Sequence, residues 1–264
     1  MQPLKLQAFQ SIRLVATDMD GTLTQQGKFT PALLQAIADL AQVGIQVLII
    51  TGRSAGWVNG IASYLPVVGA IAENGGILFR SSAEHDAFSP YRNGAEPEFL
   101  GAIDSNHRQR LAEMFDKLRA EFPQIQESVD NRFRLTDWTF DVFGLGLAEL
   151  RAMGDRCLAE GLGFTYSTVQ CHIKPLHQDK AIGLSKALNR YFPNYQPTEI
   201  VTVGDSPNDE SLFDGERFPL SVGVANVRDF ATQLAHQPAY ITQAPEVEGF
   251  CELAKFILQA QAKL

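Results

Sequence analysis

The chain lacks the features that mark secreted, membrane-spanning or nucleic-acid-binding proteins. It has only three cysteines among 264 residues, Cys157, Cys171 and Cys251. They are odd in number and scattered, without metal-ligand spacing, and read as reduced, mostly packed thiols in a cytoplasmic protein. The formal net charge is −8 and no basic run offsets it, which argues against nucleic acid or an anionic membrane surface as the main partner. No stretch approaches the roughly 18 apolar residues of a membrane span. The N-terminal segment, with a single Lys5 in a short mixed stretch, does not read as a secretory leader. His85, His107, His177 and His236 show no ligand spacing, and no Ser-His-Asp or Cys-His arrangement can be assembled. Internal repeats and low-complexity tracts are absent.

What is present is a strongly patterned α/β chain, 45% hydrophobic and long enough for one large domain or a core with a second module. Apolar runs at Ile12–Thr17, Ile45–Thr51, Val67–Ala72, Glu199–Val203, Leu220–Val224 and Ala239–Ile241 read as short buried strands. Between them, the 3.6-residue spacing over Pro31–Val43, Ser54–Leu65, Asp179–Tyr191, Asn226–His236 and Glu246–Ala262 predicts helices. Thr30 before Pro31 is a helix start, a capping side chain followed by Pro at the first helical position. Such alternation predicts an α/β fold built on a doubly wound, mostly parallel sheet.

The middle of the chain breaks the rhythm. Turn-rich dipeptides (Ser89-Pro90, Asn93-Gly94, Glu96-Pro97) precede a charged helical stretch over His107–Glu121. An alternating run Arg132–Phe143, a second helix over Gly146–Glu160 and a strand at Phe164–Thr168 follow. This reads as a smaller α/β module of residues 83–174 inserted into a core formed by 1–82 and 175–264, with linkers near 80–84 and 174–178.

Two acidic motifs stand directly after buried strands: Asp18-Met19-Asp20-Gly21-Thr22 and Gly204-Asp205-Ser206-Pro207-Asn208-Asp209. The carboxyl end of a strand is where open α/β sheets place their ligands. Carboxylates converging there would repel one another by several kcal/mol at an effective dielectric of about 20. A hard divalent cation removes that repulsion, and Mg²⁺ commonly bridges one or two carboxylates to a substrate phosphate. The competing reading makes each Asp a turn or cap residue. That suits Asp214 and Asp229, and suits two strand-terminal motifs less well.

These two motifs, together with Thr51-Gly52-Arg53 after another apolar strand and Lys180, match in order and type the four motifs of the haloacid dehalogenase superfamily. The chain resembles its Cof-type branch, which includes sugar-phosphate phosphatases. The resemblance implies that the insert is a cap and that Asp18 is the nucleophile. It makes Asp20 the acid/base group, and makes Asp18, Asp205 and the main-chain carbonyl of Asp20 ligands to Mg²⁺. Asp209 would support the metal from a second shell. Thr51, Gly52, Lys180 and Asn208 would meet the phosphate, although Asn208 reads nearly as well as a turn residue after Pro207. Ala181 stands where the family has Gly after the lysine. Arg53 is read as pairing with a surface acid, and Glu73-Asn74-Gly75-Gly76 first as a hairpin turn and second as part of the site wall.

In the insert, Arg132, Arg134, Asp137 and Trp138 are read mainly as a strand's solvated face. Gln170 and His172 are weaker substrate-binding candidates beside the return linker, and a structural histidine is the competing reading for His172. The expected activity is hydrolysis of a small phosphate ester, a sugar phosphate or a phosphorylated carboxylic acid, by a monomer or small homo-oligomer. A phosphomutase of the phosphomannomutase type and a non-catalytic sugar-phosphate-binding protein are the alternatives. The second needs no acid/base Asp20.

Overall fold

A computed structural model describes residues 1–80 and 97–262. The expected turns at Ser89-Pro90, Asn93-Gly94 and Glu96-Pro97, most of the first linker and His85 fall at least partly outside the described residues.

Among the described residues, six α-helices and twelve strands follow one another in the order β1 (Gln2–Pro3), β2 (Leu14–Thr17), α1 (Pro31–Gln42), β3 (Gln46–Ile50), α2 (Ala55–Tyr64), β4 (Gly69–Ala72), β5 (Ile77–Arg80), β6 (Glu98–Phe99), α3 (His107–Glu121), β7 (Trp138–Asp141), α4 (Leu147–Ala159), β8 (Leu162–Tyr166), β9 (Gln170–Pro175), α5 (Lys180–Tyr191), β10 (Ile200–Gly204), β11 (Ser221–Gly223), β12 (Tyr240–Ile241) and α6 (Glu246–Gln261). Nine strands form one sheet in the order β1-β12-β11-β10-β2-β3-β4-β5-β6. It is parallel from β1 to β4 and antiparallel only at β4/β5 and β5/β6. The chain runs from β2 outward to β3 and β4, then returns to β10 on the other flank of β2. The crevice between β2 and β10 is therefore the topological switch point.

Alternation along β2 explains how the sheet is covered. Val15 packs into the apolar layer made with α1, α2 and α6, while Leu14 and Ala16 face the layer that includes Ala181, Leu184 and Ala187 of α5. All four β2 residues are buried, as a doubly covered parallel strand requires. Helix α1 starts as expected, with the Thr30 hydroxyl accepting from Leu33 N–H and Pro31 in the first turn.

The second sheet has three antiparallel strands, β7-β9-β8. Phe140, Cys171 and Ile173 on one face of it join Leu111, Phe115 and Leu118 of α3 and Leu150, Met153 and Cys157 of α4 in a separate apolar cluster. All three cysteines are free thiols, and burial pushes the Cys157 thiol up to about 12.

The structure corrects several expectations. Only a 3-10 turn, Ala225–Phe230, forms where Asn226–His236 was read as a helix. The Asn226 side chain bonds Gly21 O, Asp205 and Glu246 N–H, and such side-chain bonding competes with helix. The alternating run Arg132–Phe143 yields only β7, preceded by a 3-10 turn. The strand expected at Phe164–Thr168, β8, starts and ends two residues earlier than predicted. The Lys174–Gln178 linker begins inside β9, a strand the sequence reading did not separate from it.

One close approach fixes how α5 meets the sheet. Gly75 has φ +99°, and a Cβ there would lie 2.0 Å from the carbonyl oxygen of Asp179, whereas Gly27, at φ +74°, has open space around it. Gly75→Ala should add an overlap cost of about 1–3 kcal/mol to the left-handed penalty of about 1–2 kcal/mol, and Gly27→Ala should show the penalty alone. Urea unfolding of both variants checks this; equal losses would remove the crowding argument.

Candidate active site

Strand β2 delivers Asp18 and β10 delivers Asp205, both directly at the strand ends, and both side chains are buried. The register of β10 on β2 continues past the strand, with Asp18 N–H bonded to Val203 O at 2.9 Å. Asp209 follows on a short 3-10 turn whose first residue is Pro207. Carboxylate oxygens of Asp18, Asp205 and Asp209 all lie within 4.8 Å of one another.

A single ammonium group reaches into this cluster. Lys180, the first residue of α5, is fully buried, and its Nζ lies 2.5 Å from Asp18 Oδ1 and 2.5 Å from Asp209 Oδ1. Burial opposes its charge, but the two carboxylates outweigh that and push the lysine pKa up. Helix α5 begins at this point because Asp179 caps it, accepting from Ile182 N–H at 2.7 Å. Ala181, at the position of the family's glycine, is buried in the apolar layer, and its N–H donates to Ser211 Oγ.

The second oxygen of Asp209 accepts from the N–H groups of Asp205 and Ser206, at 2.9 and 3.1 Å. Both Asp209 oxygens are thus engaged by protein donors, so it acts as a brace. Asp205 is differently placed: among the described residues it accepts only from neutral donors, Thr22 Oγ1 at 3.2 Å and Asn226 Nδ2 at 2.8 Å. Gly21, at φ +81°, permits this approach, since a Cβ there would lie 2.5 Å from Asp205 Oδ2. Burial, followed by the charge of Asp209, pushes Asp18 up to about 7. Burial and then Asp18 push Asp205 well above the carboxylate range. Three crowded carboxylates with one lysine leave a deficit of positive charge, and an all-oxygen donor set suits a hard cation. The residues present therefore fit a divalent metal at Asp18 and Asp205.

Asp20 points away from this cluster, to the rim. Its oxygens accept from Arg53 Nε at 2.8 Å and Nη2 at 2.6 Å. Arg53 thus pairs with a site carboxylate rather than with the surface acid expected from the sequence, and that bond raises its pKa. Thr51 is buried at the end of β3; its hydroxyl accepts from Arg53 N–H at 3.1 Å, and its carbonyl accepts from Asn74 N–H. The four-residue turn Glu73–Gly76 does join β4 and β5 as an antiparallel hairpin, and it also walls the site. Ser206 Oγ donates to Asn208 Oδ1 at 2.7 Å, and Asn208 Nδ2 donates to Asn74 Oδ1 at 3.1 Å. That chain orients Asn74 so that its Nδ2, a buried donor without a partner among the described residues, lies beside Gly52.

The second sheet closes over this rim. Arg134 and Asp137 are buried, so their reading as a solvated strand face is corrected; Arg132 is exposed. Arg134 pairs with Asp137 and Asp130 and donates to the carbonyl of Gly52 at 2.9 Å. Glu73, buried and at φ +53°, accepts from the N–H groups of Leu135, Thr136 and Asp137 and from the Thr136 hydroxyl. Burial and then the charge of Asp137 push it up to about 7. His172 is buried with Nδ1 2.8 Å from Asp137 Oδ2. Gln170 spends its amide within the second module, accepting from Arg134 and donating to Asp130. A cleft of about 20 Å³ is lined by Asp18, Asp20, Thr51, Gly52, His172 and Asn208, among others. Sequence reasoning missed Thr22 and Asn226 and gave Glu73 and Asn74 only a secondary place, because nothing in their spacing marks a partner so distant in the chain.

The sequence profile of the haloacid dehalogenase-like hydrolases matches residues 15–131. The chain is 26% identical over 205 residues to a phosphoglycolate phosphatase of Thermoplasma volcanium, covering 77% of this chain and 81% of that protein. It is 27% identical over 255 residues to phosphoglycolate phosphatase 1 of Saccharolobus solfataricus, covering 95% and 97%. Among solved structures, Thermoplasma acidophilum 0175 matches with a TM-score of 0.73 and 22% identity over 94% of this chain and 99% of that one. The sucrose-phosphatase of Synechocystis sp. PCC6803, solved with sucrose and phosphate, matches with a TM-score of 0.62 and 14% identity over 94% and 98%. No helix among the described residues is long and apolar enough to cross a membrane.

Lys180→Met keeps the bulk of the side chain and removes the only cation that the described residues place inside the carboxylate cluster. Breaking a buried ion pair from one side costs about 3–5 kcal/mol, so the variant should melt well below the native protein in EDTA. Millimolar Mg²⁺ should recover part of the loss. Thermal melts with and without Mg²⁺ read both effects, and a variant as stable as the native protein in EDTA would contradict the charge argument.

Proposed function

We propose, from the match of residues 15–131 to the haloacid dehalogenase-like hydrolases and from the site geometry, that the chain is a Mg²⁺-dependent phosphomonoesterase. It acts on a small phosphorylated metabolite, either a sugar phosphate or a phosphorylated carboxylic acid. The observation that carries this reading is the buried Lys180 ammonium bridging Asp18 and Asp209 with Asp205 beside them, at the ends of two adjacent parallel strands. The phosphoglycolate phosphatases among its relatives keep a phosphorylated carboxylic acid within the substrate class.

Asp18 is the nucleophile. One of its oxygens bonds to phosphorus as the bond from phosphorus to the ester oxygen breaks, giving an aspartyl-phosphate. Asp20 gives a proton to the departing alkoxide and afterwards takes one from the water that attacks phosphorus, so that inorganic phosphate leaves and Asp18 is restored. Arg53 pairs with the Asp20 carboxylate at the rim, and that pair must loosen for Asp20 to carry the proton it gives to the alkoxide. The Thr51 hydroxyl, the Gly52 amide, Lys180 and Asn208 bind the phosphoryl oxygens, and the unpartnered Asn74 Nδ2 is a further donor to them. Asp18, Asp205 and the carbonyl of Asp20 would hold Mg²⁺, with Asp209 bracing them. The bound ion supplies positive charge against the phosphoryl oxygens and the carboxylates.

The module from α3 to β9 forms the cap, and the nine-stranded sheet with its helices forms the catalytic core; β6 (Glu98–Phe99), placed by the sequence in the insert of residues 83–174, is the edge strand of that core sheet. A cleft of about 20 Å³ has room for about one water, so substrate enters only when the cap lifts.

Asp18→Asn keeps the shape of the site and removes the nucleophile. Its Mg²⁺-dependent phosphate release from p-nitrophenyl phosphate should fall at least about a thousandfold, and EDTA should silence the native protein. Full activity in Asp18→Asn would exclude the assigned nucleophile.

A further inference from the structure

The cap contributes one side chain to the cleft whose chemistry is fixed by its surroundings. His172 stands in the middle of β9, opposite Thr139 on β7 and Thr165 on β8. Its Nδ1 is 2.8 Å from Asp137 Oδ2. Asp137 in turn accepts from Arg134 Nη1 at 2.9 and 3.0 Å. Burial opposes ionisation of Asp137, but Arg134 and the His172 ring outweigh it and hold the carboxyl group below the ordinary range. An ionised carboxylate accepts hydrogen bonds and donates none. The proton therefore sits on Nδ1, and Nε2 of the neutral ring carries a lone pair.

That lone pair faces the reaction site. The Cε1–Nε2 edge lies against Gly52, each atom 3.1 Å from where a Cβ on Gly52 would be. The ring also lines the cleft with Asp18, Asp20 and Thr51. Among the described residues only Nδ1 of the ring is hydrogen-bonded. Burial lowers the imidazole pKa, with Arg134 and Lys180 adding to that and Asp137 offsetting part of it, so the ring stays neutral near pH 7. The site thus presents a hydrogen-bond acceptor that the protein leaves without a donor. A substrate hydroxyl supplies one; a substrate carboxylate supplies none and would set an anion against the lone pair.

The geometry points to His172 as a specificity-determining residue whose Nε2 accepts from a hydroxyl on the alkyl part of the substrate, favouring hydroxylated phosphate esters over phosphorylated carboxylic acids. Asp137 acts through it as a positioning residue, by fixing the tautomer. This assignment rests on the phosphomonoesterase reading and narrows its substrate class.

Three esters of similar size isolate the contact: 2-hydroxyethyl phosphate offers a hydroxyl, ethyl phosphate offers nothing, and 2-phosphoglycolate offers a carboxylate. With Mg²⁺ present, the native protein should show a kcat/KM for 2-hydroxyethyl phosphate about tenfold above that for ethyl phosphate, a preference expressed mainly in KM. It should not prefer 2-phosphoglycolate to 2-hydroxyethyl phosphate. In His172→Ala the ratio of hydroxyethyl to ethyl ester should fall to about one. In His172→Gln, whose amide oxygen can still accept, part of the ratio should return. Ratios taken within one variant cancel any general loss of activity. A flat ratio in the native protein, an unchanged ratio in His172→Ala, or a native preference for 2-phosphoglycolate would overturn the role of His172 while leaving the phosphatase standing. Absence of phosphate release from all three esters and from p-nitrophenyl phosphate would remove both readings together.

Discussion

The placement of one buried ammonium among three buried carboxylates is the constraint on which the rest of the structure depends. Asp18 and Asp205 are pinned at the ends of adjacent strands, so they cannot separate to relieve their repulsion. Desolvation makes each charge more costly still. Lys180 offsets part of this, but only if α5 starts within reach. The start is set by the Asp179 cap and by the contact of Gly75 with Asp179 and Gly183, where no side chain intervenes. A glycine in the hairpin of one strand pair thus controls where a charge arrives in the crevice of another. The protein leaves Asp205 with neutral partners only, and that residual deficit is what makes the crevice receptive to a cation.

A second buried carboxyl group performs the corresponding task between the two modules. Glu73 turns the hairpin between β4 and β5 and collects donors from Ala55, Leu135, Thr136 and Asp137. It ties the start of α2 to the segment before β7. Arg134 completes the closure by bonding the Gly52 carbonyl beside Thr51. These bonds are buried, and hydrogen bonds to charged groups contribute about 1.5–3 kcal/mol each. The closed arrangement is therefore well held, and opening requires water to replace several of them at once.

The fold and the four motifs were legible in the sequence because they rest on local signals. Period-two and 3.6-residue patterns mark the strands and helices of the core, and acidic residues directly after apolar runs can lie only at strand ends. Lys180, Thr51 and Asp209 were assigned from resemblance, and the structure brings Lys180 and Asp209 to Asp18. What stayed hidden depends on partners distant in sequence. Arg53 looked like a surface residue because its partner Asp20 is 33 positions away. Asn226 carried no signal, since its contact to Asp205 exists only once β10 and the turn after β11 are assembled. The short edge strands β1 and β6, two residues each, have too few residues to show a period.

The polar face of β9 shows how the cap meets the core. Along β9, Cys171 and Ile173 join the cap's own apolar cluster, while Gln170, His172 and Lys174 point the other way, as strand geometry requires. Alternation of this kind ordinarily marks a face in water. Here all five residues are buried, because the polar face is covered by the catalytic core instead of solvent. Its polar groups then need internal partners, and they find them in Arg134, Asp137, Asp130 and the Gln178 carbonyl. The network follows from closing a polar sheet face over another module. The atom left without a partner, Nε2 of His172, is the one that faces the cleft between them. Alternation along such a strand does not distinguish a solvated face from one covered by another part of the chain.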